Sequence, residues 1–239
     1  MAPKFLEWLN PSQDLDWIDI GCGTGALSES ISKNHYPTSI SCVDPSESFL
    51  EKTKDRIGNS CITIKSKADE IPLDNQCSDI VVSGLALNFF PEPDKAINEM
   101  KRVLRNKGVI AAYVWDYSGR MDMLRYFWDN ARKIDSSAAT LDEGARFPIC
   151  SEENLNILFN DSGLKSVITT SIDIDTRFDS FDDFWKPFLG KQGPAPSFYS
   201  NLEDAKQKKV VELIREALPI NSDGTVNLIA RAFAVRGIK

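Results

Sequence analysis

Trp17-Ile18-Asp19-Ile20-Gly21-Cys22-Gly23-Thr24-Gly25 is the stretch on which the fold of this chain turns. A short apolar strand runs into a turn with glycine at every second position, and Ala26, Leu27 and Ile31 then recur at helical spacing. Glycine accepts a left-handed backbone and leaves open the space that a Cβ would fill. A strand, a glycine turn and a helix N-terminus in that order bring free N–H groups and the positive end of a helix dipole to one point. The stretch therefore predicts a nucleotide-sized site at the carboxyl end of a central strand.

Outward from this turn the pattern alternates. Upstream, Phe5, Leu6, Trp8 and Leu9 give one helical face closed by Asn10-Pro11. Downstream, a helix over 24–34 ends at His35-Tyr36-Pro37, and a strand over 39–43 places Asp44 at its end. Pro45-Ser46 opens a second helix, with Phe49, Leu50 and Ile57 toward the sheet, and Gly58-Asn59 stops it. Strands over 61–65 and 79–83 follow, then a helix over 95–104 ended by Asn106-Lys107-Gly108, then a strand over 109–115. Strands alternating with helices predict a doubly wound α/β unit with helices on both faces. Gly21 to Gly25, Asp44, Asp69 and the segment 84–88 all fall at carboxyl ends of strands, where such sheets bind ligands.

The remainder is less regular. Helices are expected over 121–134, 151–159, 181–188 and 203–218, with strands over 167–174 and 226–235. The Gly- and Pro-rich segment 187–196 reads as a mobile lid or as a linker between helices. Tyr126, Phe127, Trp128, Phe184, Trp185, Phe188 and Phe198 either pack insertions against the sheet or line an apolar pocket.

Bulk properties exclude several classes. The 239 residues suffice for one large domain, and a net charge of −7 argues against a nucleic-acid surface. No apolar run is long enough for a membrane span. The five cysteines form no CxxC pair, and the single histidine, His35, stands without a cysteine cluster, so no metal site is expected. A cytoplasmic protein is the expectation from this cysteine usage and the charged first residues.

The glycine turn alone fits two patterns, a dinucleotide site and a nucleoside site. Asp44 suits both, since a carboxylate there can accept from two ribose hydroxyls; as a helix cap it would need no ligand at all. An NAD-dependent oxidoreductase is therefore one reading, although no catalytic Tyr/Lys or His arrangement accompanies it.

Taken together, the motifs resemble those of the class I S-adenosylmethionine-dependent methyltransferases, in the type-11-like, ubiquinone/menaquinone-methyltransferase-like small-molecule branch. The glycine stretch is similar to their first motif and Val43-Asp44-Pro45-Ser46 to their second. Lys67-Ala68-Asp69-Glu70-Ile71-Pro72-Leu73 resembles the loop that touches the adenine. Ser78-Asp79-Ile80-Val81-Val82-Ser83 and Asn98-Glu99-Met100-Lys101-Arg102-Val103-Leu104 resemble the fourth motif and the helix before the fifth strand. The likeness spans 17–115 and departs at Asn106-Lys107-Gly108, where the family has Pro-Gly-Gly. It implies a single domain over 1–239 with a mostly parallel, seven-stranded Rossmann-like sheet. Residues 1–116 are then the cofactor core, and 117–150 and 177–222 are insertions that form an acceptor pocket or lid.

The resemblance also implies roles. Backbone around Gly21, Cys22, Gly23 and Gly25 approaches the methionine part of S-adenosyl-L-methionine, with Asp19 favouring its ammonium group. Asp44 and Pro45 hold the ribose. Asp69 accepts from the adenine amine, with Glu70 beside it and Ala68 and Ile71 sandwiching the ring; Ser83, Gly84 and Leu85 line the methionine side. Asn88, Trp115, Tyr117 and Arg146, with Asp116, are candidates on the side of a small-molecule methyl acceptor, and no residue presents itself as a catalytic base. A non-catalytic S-adenosylmethionine-binding protein is the further alternative. Only about sixteen residues precede the first strand, which leads to the expectation of an open cofactor site or of a sequence that is a piece of a longer chain.

Overall fold

The structure is a computed structural model that describes residues 1–190 and 192–239. Its strands are β1 (Asp16–Ile20), β2 (Ser39–Asp44), β3 (Ile62–Lys65), β4 (Ser78–Gly84), β5 (Leu104–Trp115), β6 (Lys165–Phe178) and β7 (Val226–Ile238). They form one seven-stranded sheet in the order β3-β2-β1-β4-β5-β7-β6. The chain divides into two compact units: Met1–Val114, Ser151–Ile172 and Ala232–Lys239 in the first, and Trp115–Cys150 and Asp173–Arg231 in the second.

In the first unit, β3, β2, β1, β4 and β5 pair in parallel. Strand β1 is buried nearly throughout because it has a partner on each side and helices on its faces. The sheet is mixed rather than purely parallel, its antiparallel part lying at β7. Lys107 N–H donates to the Lys239 carbonyl and Asp116 N–H to the Arg231 carbonyl, so β7 runs opposite to β5. The chain enters β7 beside the carboxyl end of β5, and from that end only the antiparallel direction is open. Strand order reverses at β1, whose neighbours β2 and β4 lead away in opposite directions; this is the switch point that opens a crevice in such sheets.

The helices of this unit are α1 (Ala2–Leu9), α2 (Ala26–Asn34), α3 (Glu47–Ile57) and α4 (Pro93–Val103). Pro3 lies in the first turn of α1, where its missing N–H is not needed, and Phe5, Leu6 and Leu9 are buried. Helix α4 likewise begins on a proline and buries Ala96, Ile97, Met100 and Val103, an i, i+1, i+4, i+7 stripe. The expected stop at Asn106-Lys107-Gly108 is instead a bulge inside β5. Ser78 pairs with Leu104, but Ile80 pairs with Val109, and Lys107 takes a left-handed φ of 68° to absorb the extra residues. Arg105, on the bulge, reaches Asp16 at 2.9 Å and Asp79 at 2.7 Å, which ties the starts of β1, β4 and β5 together.

The second unit holds α5 (Asp122–Ile134), α6 (Ala138–Leu141) and α7 (Glu143–Arg146); α8 (Glu152–Asp161) returns to the first unit, and α9 (Phe181–Trp185), α10 (Pro194–Ser200) and α11 (Asp204–Ala217) complete the second. The helix expected over 181–188 breaks at Lys186-Pro187, where the chain tightens into a 3-10 turn. Most of the aromatic residues here are core. Phe127 and Phe188 stack at 4.8 Å between centroids with 8° between planes, and Phe127 meets Trp128 edge-on at 5.0 Å. The 187–196 segment is shorter as a loop than its Gly/Pro content predicts. Phe188 is buried and Pro194 starts α10, since proline is at home in a first helical turn; Lys191 lies outside the described residues.

Asp142 and Glu143 are buried in this unit and hydrogen-bonded. Asp142 caps α7 through the Gly144 N–H at 2.8 Å and pairs with Arg125 at 2.7 Å and with Arg132. Glu143 accepts from the Trp128 indole N–H at 2.7 Å. Replacing Phe127 by alanine removes the ring that touches Trp128, Trp185, Phe188 and Phe198. The expected loss is about 3–5 kcal/mol of stability, measured by urea unfolding followed by tryptophan fluorescence; a loss under about 1 kcal/mol would contradict this packing.

Candidate active site

The carboxyl ends of β1 to β4 open into a cavity of about 740 Å3 that lies entirely in the first unit. Its floor is the glycine turn. The N–H groups of Gly21 and Cys22 both donate to the Val43 carbonyl, at 2.8 and 3.1 Å, which fastens the turn to the end of β2. Gly23 N–H donates to Asp44 Oδ2 at 2.9 Å, while Asp44 Oδ1 accepts from Ser46 N–H at 2.8 Å. Gly21, Gly23 and Gly25 take φ values of 69°, 55° and 81°. At Gly21 the demand is double, because a Cβ there would lie 2.5 Å from the Ala86 Cβ.

Of the cofactor residues expected from sequence, Gly21, Cys22, Gly23, Asp44, Pro45, Ala68, Asp69, Gly84 and Leu85 line this cavity. Gly25 stands at the N-cap of α2. Asp19 and Ser83 are fully buried rather than part of the lining, and Glu70 points into solvent. Ile71 is also buried outside the lining. The aromatic wall comes instead from Phe49, Phe89 and Phe90. Phe49, expected to face the sheet, is 43% exposed because α3 turns Leu50 and Thr53 inward. Periodicity in a charged eleven-residue helix leaves such a choice between adjacent positions open. Residues of α1 are absent from the lining.

Thr53 was not legible as a site residue. Its hydroxyl donates to the Gly23 carbonyl at 2.9 Å, and its Cγ2 lies 3.0 Å from where a Cβ on Gly25 would be. Helix α3 thus braces the turn from behind. Gly84 plays a matching part on β4, since the Tyr113 hydroxyl lies 2.7 Å from the place of its missing Cβ.

Asp19 is the electrostatic centre of the floor. Its Oδ2 accepts from the Ser28 hydroxyl at 2.6 Å, and its Oδ1 has no hydrogen-bond partner among the described residues. Burial, opposed by the Ser28 bonds, raises its pKa to about 7. A carboxyl poised there carries its charge readily once a cation approaches. Burial also raises the Tyr113 hydroxyl above its usual range, so that group stays protonated at neutral pH.

The acceptor-side candidates are divided between the units. Asn88 belongs to the first; it is nearly buried, and its Nδ2 has no partner among the described residues. Trp115, Tyr117 and Arg146 belong to the second. Tyr117 packs on Phe147 at 5.9 Å, and burial raises its hydroxyl pKa, which removes it as a base near neutrality. The exposed Arg146 guanidinium lies 5.3 Å over the Phe147 ring. Asp116 is buried and committed to the N–H groups of Gly119 and Arg120 at 2.8 and 2.9 Å. His35 sits beside the Trp17 ring at 6.4 Å and does not line the cavity.

The Asp19 pKa has a consequence for stability. Unfolded, the carboxyl ionises near 3.8; folded, it holds its proton to about 7. Its contribution is therefore fully present below pH 3.8 and is lost as pH rises through 7. The Asp19→Asn variant cannot ionise. Its stability relative to the parent should shift in its favour by roughly 3 kcal/mol between pH 4.5 and 7.5 in paired urea titrations. A pH-independent difference would contradict the buried, singly satisfied geometry.

Residues 18–112 match the family model described as a methyltransferase domain. A malonyl-[acyl-carrier protein] O-methyltransferase of Geobacter sulfurreducens is 30% identical over 109 residues, covering 45% of this chain and 40% of that protein. The ubiquinone/menaquinone biosynthesis C-methyltransferase UbiE of Campylobacter jejuni is 31% identical over 103 residues, covering 41% of this chain and 43% of the relative. The chain thus matches less than half the length of each. Among solved structures, a putative methyltransferase from Bacillus halodurans superposes with a TM-score of 0.65 at 13% identity, over 100% of this chain and 98% of that one. An N-methyltransferase of Haemonchus contortus, in complex with S-adenosylhomocysteine, gives a TM-score of 0.61 at 12% identity over 100% of this chain and 52% of its own. At such identities the superpositions speak to the fold. The matched stretch, residues 18–112, carries the glycine turn, Asp44 and the Asp69 loop, so the likeness to a methyltransferase domain rests on the segment that builds the cavity.

Proposed function

We propose that the chain transfers the methyl group of S-adenosyl-L-methionine to a small-molecule acceptor by in-line displacement. The observation that carries this reading is the charge of the cavity. Its lining sets Asp44, Asp69 and Glu92 against a single base, Lys67, and the rest is largely aromatic, aliphatic or glycine. A pyrophosphate would find little cationic support there, whereas a sulfonium nucleoside with an ammonium group suits it. The Asp19 oxygen that has no hydrogen-bond partner among the described residues favours a cationic ligand in the same way. The names of the relatives, both methyltransferases of small or carrier-borne groups, agree with this reading.

When bound, the cofactor supplies a methyl group already activated by its sulfonium. The chain's own task is to hold, orient and exclude water. In this reading Asp44 keeps its bond with the Gly23 N–H and accepts from the two ribose hydroxyls with its remaining lone pairs, and Asp69 accepts from the adenine amine. Phe49 and Phe89 offer ring faces at the mouth. The main chain of Gly21, Cys22, Gly23, Gly84 and Leu85 flanks the methionine end, with Asp19 as counter-charge and Ser83, Gly25, Pro45, Ala68 and Glu70 framing these groups. On the acceptor side, the first unit offers Asn88; the segments 117–150 and 177–222, with Trp115, Tyr117 and Arg146, are separate candidates carried by the second unit. The five free cysteines suit a reduced, cytoplasmic setting. Among the described residues, no helix is long and apolar enough to cross a membrane.

Calorimetry tests the reading directly. S-adenosylhomocysteine should bind the full chain, and Asp44→Ala should weaken that binding by about 10²–10⁴-fold, as expected for losing two charge-assisted hydrogen bonds. No binding to the unaltered chain would remove the proposal. Transfer of labelled methyl from S-adenosylmethionine into a metabolite extract would then separate an enzyme from a protein that only binds the cofactor.

A further inference from the structure

The loop that carries Asp69 has no sheet or helix of its own to shape it. At its start, Ser66 N–H donates to the Asp44 carbonyl at 3.2 Å. Its far end is gripped by two side chains one turn apart on α4. Glu99 Oε2 accepts from Ile71 N–H at 3.1 Å. Arg102 donates from Nη2 to the Ile71 carbonyl at 2.6 Å and from Nη1 to the Leu73 carbonyl and Asn75 Oδ1, each at 2.8 Å. The two clamp residues are fixed to each other as a fork, Nε to Oε1 at 2.8 Å and Nη2 to Oε2 at 2.9 Å. Three donors of one rigid guanidinium are thereby spent on the loop and its neighbour, a geometry that lysine cannot reproduce. The same helix contributes Ala96 to the cavity, so the clamp references the loop to the cavity wall.

Asp69 lies two residues before the gripped Ile71, and its side chain makes no hydrogen bond or ion pair among the described residues. With no hydrogen-bonded partner to fix it, its aim follows the loop backbone, which is tied within itself by the Ser66 hydroxyl on the Glu70 carbonyl and at its far end by the clamp. We propose that the Glu99–Arg102 pair sets the nucleobase selectivity of the cavity, by holding the loop so that Asp69 meets the exocyclic amine of a purine. Both are positioning residues, and the inference rests on the cofactor reading above. Mobility in this loop leaves the apolar walls intact but lets the carboxylate swing into water, where it no longer tells an amine donor from a carbonyl acceptor.

The experiment compares S-adenosylhomocysteine with S-inosylhomocysteine, in which a carbonyl replaces the amine, by calorimetry on the full chain. The unaltered protein should prefer the adenine form by about tenfold or more. Arg102→Ala and Arg102→Lys should both collapse that preference toward unity, chiefly by weakening the adenine form; Glu99→Gln, which keeps an acceptor for Ile71 N–H, should lose about threefold of it. A ratio of affinities does not depend on the folded fraction, so a merely structural role leaves it unchanged. If the unaltered chain binds neither ligand, the cofactor reading fails. If it binds both equally, or if the Glu99→Gln and Arg102 variants keep the full preference, the clamp proposal alone is overturned. Should Arg102→Ala not fold, Arg102→Lys and Glu99→Gln decide the matter.

Discussion

The Gly23 N–H and the carboxylate of Asp44 meet at 2.9 Å, and the architecture of the cavity depends on that bond and its two neighbours from Gly21 and Cys22 to the Val43 carbonyl. They join the turn after β1 to the end of β2, the strands on one side of the switch point. A glycine turn left to itself has many conformations of similar energy. Here three left-handed residues are held in one of them by three hydrogen bonds and by the Thr53 hydroxyl behind. The result is a rigid floor whose main chain is open to a ligand.

Two kinds of support surround that floor, and they differ in chemistry. Behind it the groups are small and closely fitted: Ala86 against Gly21, Thr53 against Gly25, Tyr113 against Gly84. Any added methyl there meets an atom at close range. Along the side, the loop through Asp69 is held by charge and direction rather than by shape, through the forked Glu99–Arg102 pair. Close packing tolerates no change of volume, whereas a hydrogen-bonded clamp fixes orientation while allowing the lining side chains to vary. Asp19 lies beneath both. Its fully buried carboxyl, with one oxygen unpartnered among the described residues, gives the floor a latent negative charge.

The second unit draws its stability from a different source. Its core is aromatic, and its buried acids are each hydrogen-bonded: Asp116 with the N–H groups of Gly119 and Arg120, Asp142 with Arg125, Arg132 and the Gly144 N–H, and Glu143 with the Trp128 indole. Removing one member of such a set leaves a charge without solvent, so these residues are more demanding of their partners than of their neighbours' volume. In the sequence they are scattered among ordinary surface-like acids and bases, and nothing in their spacing distinguishes them.

The sequence by itself determined the strand–turn–helix that begins at Trp17, the alternation through Trp115, and the convergence of Gly21, Asp44, Asp69 and Gly84 at strand ends. Those follow from local causes: the period of apolar residues and the conformations open to glycine and proline. Only the tertiary structure decided the direction of β7, the bulge at Lys107, the outward turn of Phe49, the braces from Thr53 and Tyr113, and the grip of Glu99 and Arg102 on Ile71 and Leu73. Each depends on an atom supplied by a segment distant along the chain, and a local pattern carries no record of such a partner. The glycine turn could thus be read as a site from nine residues. What holds it in shape, and what its walls are made of, required the whole first unit.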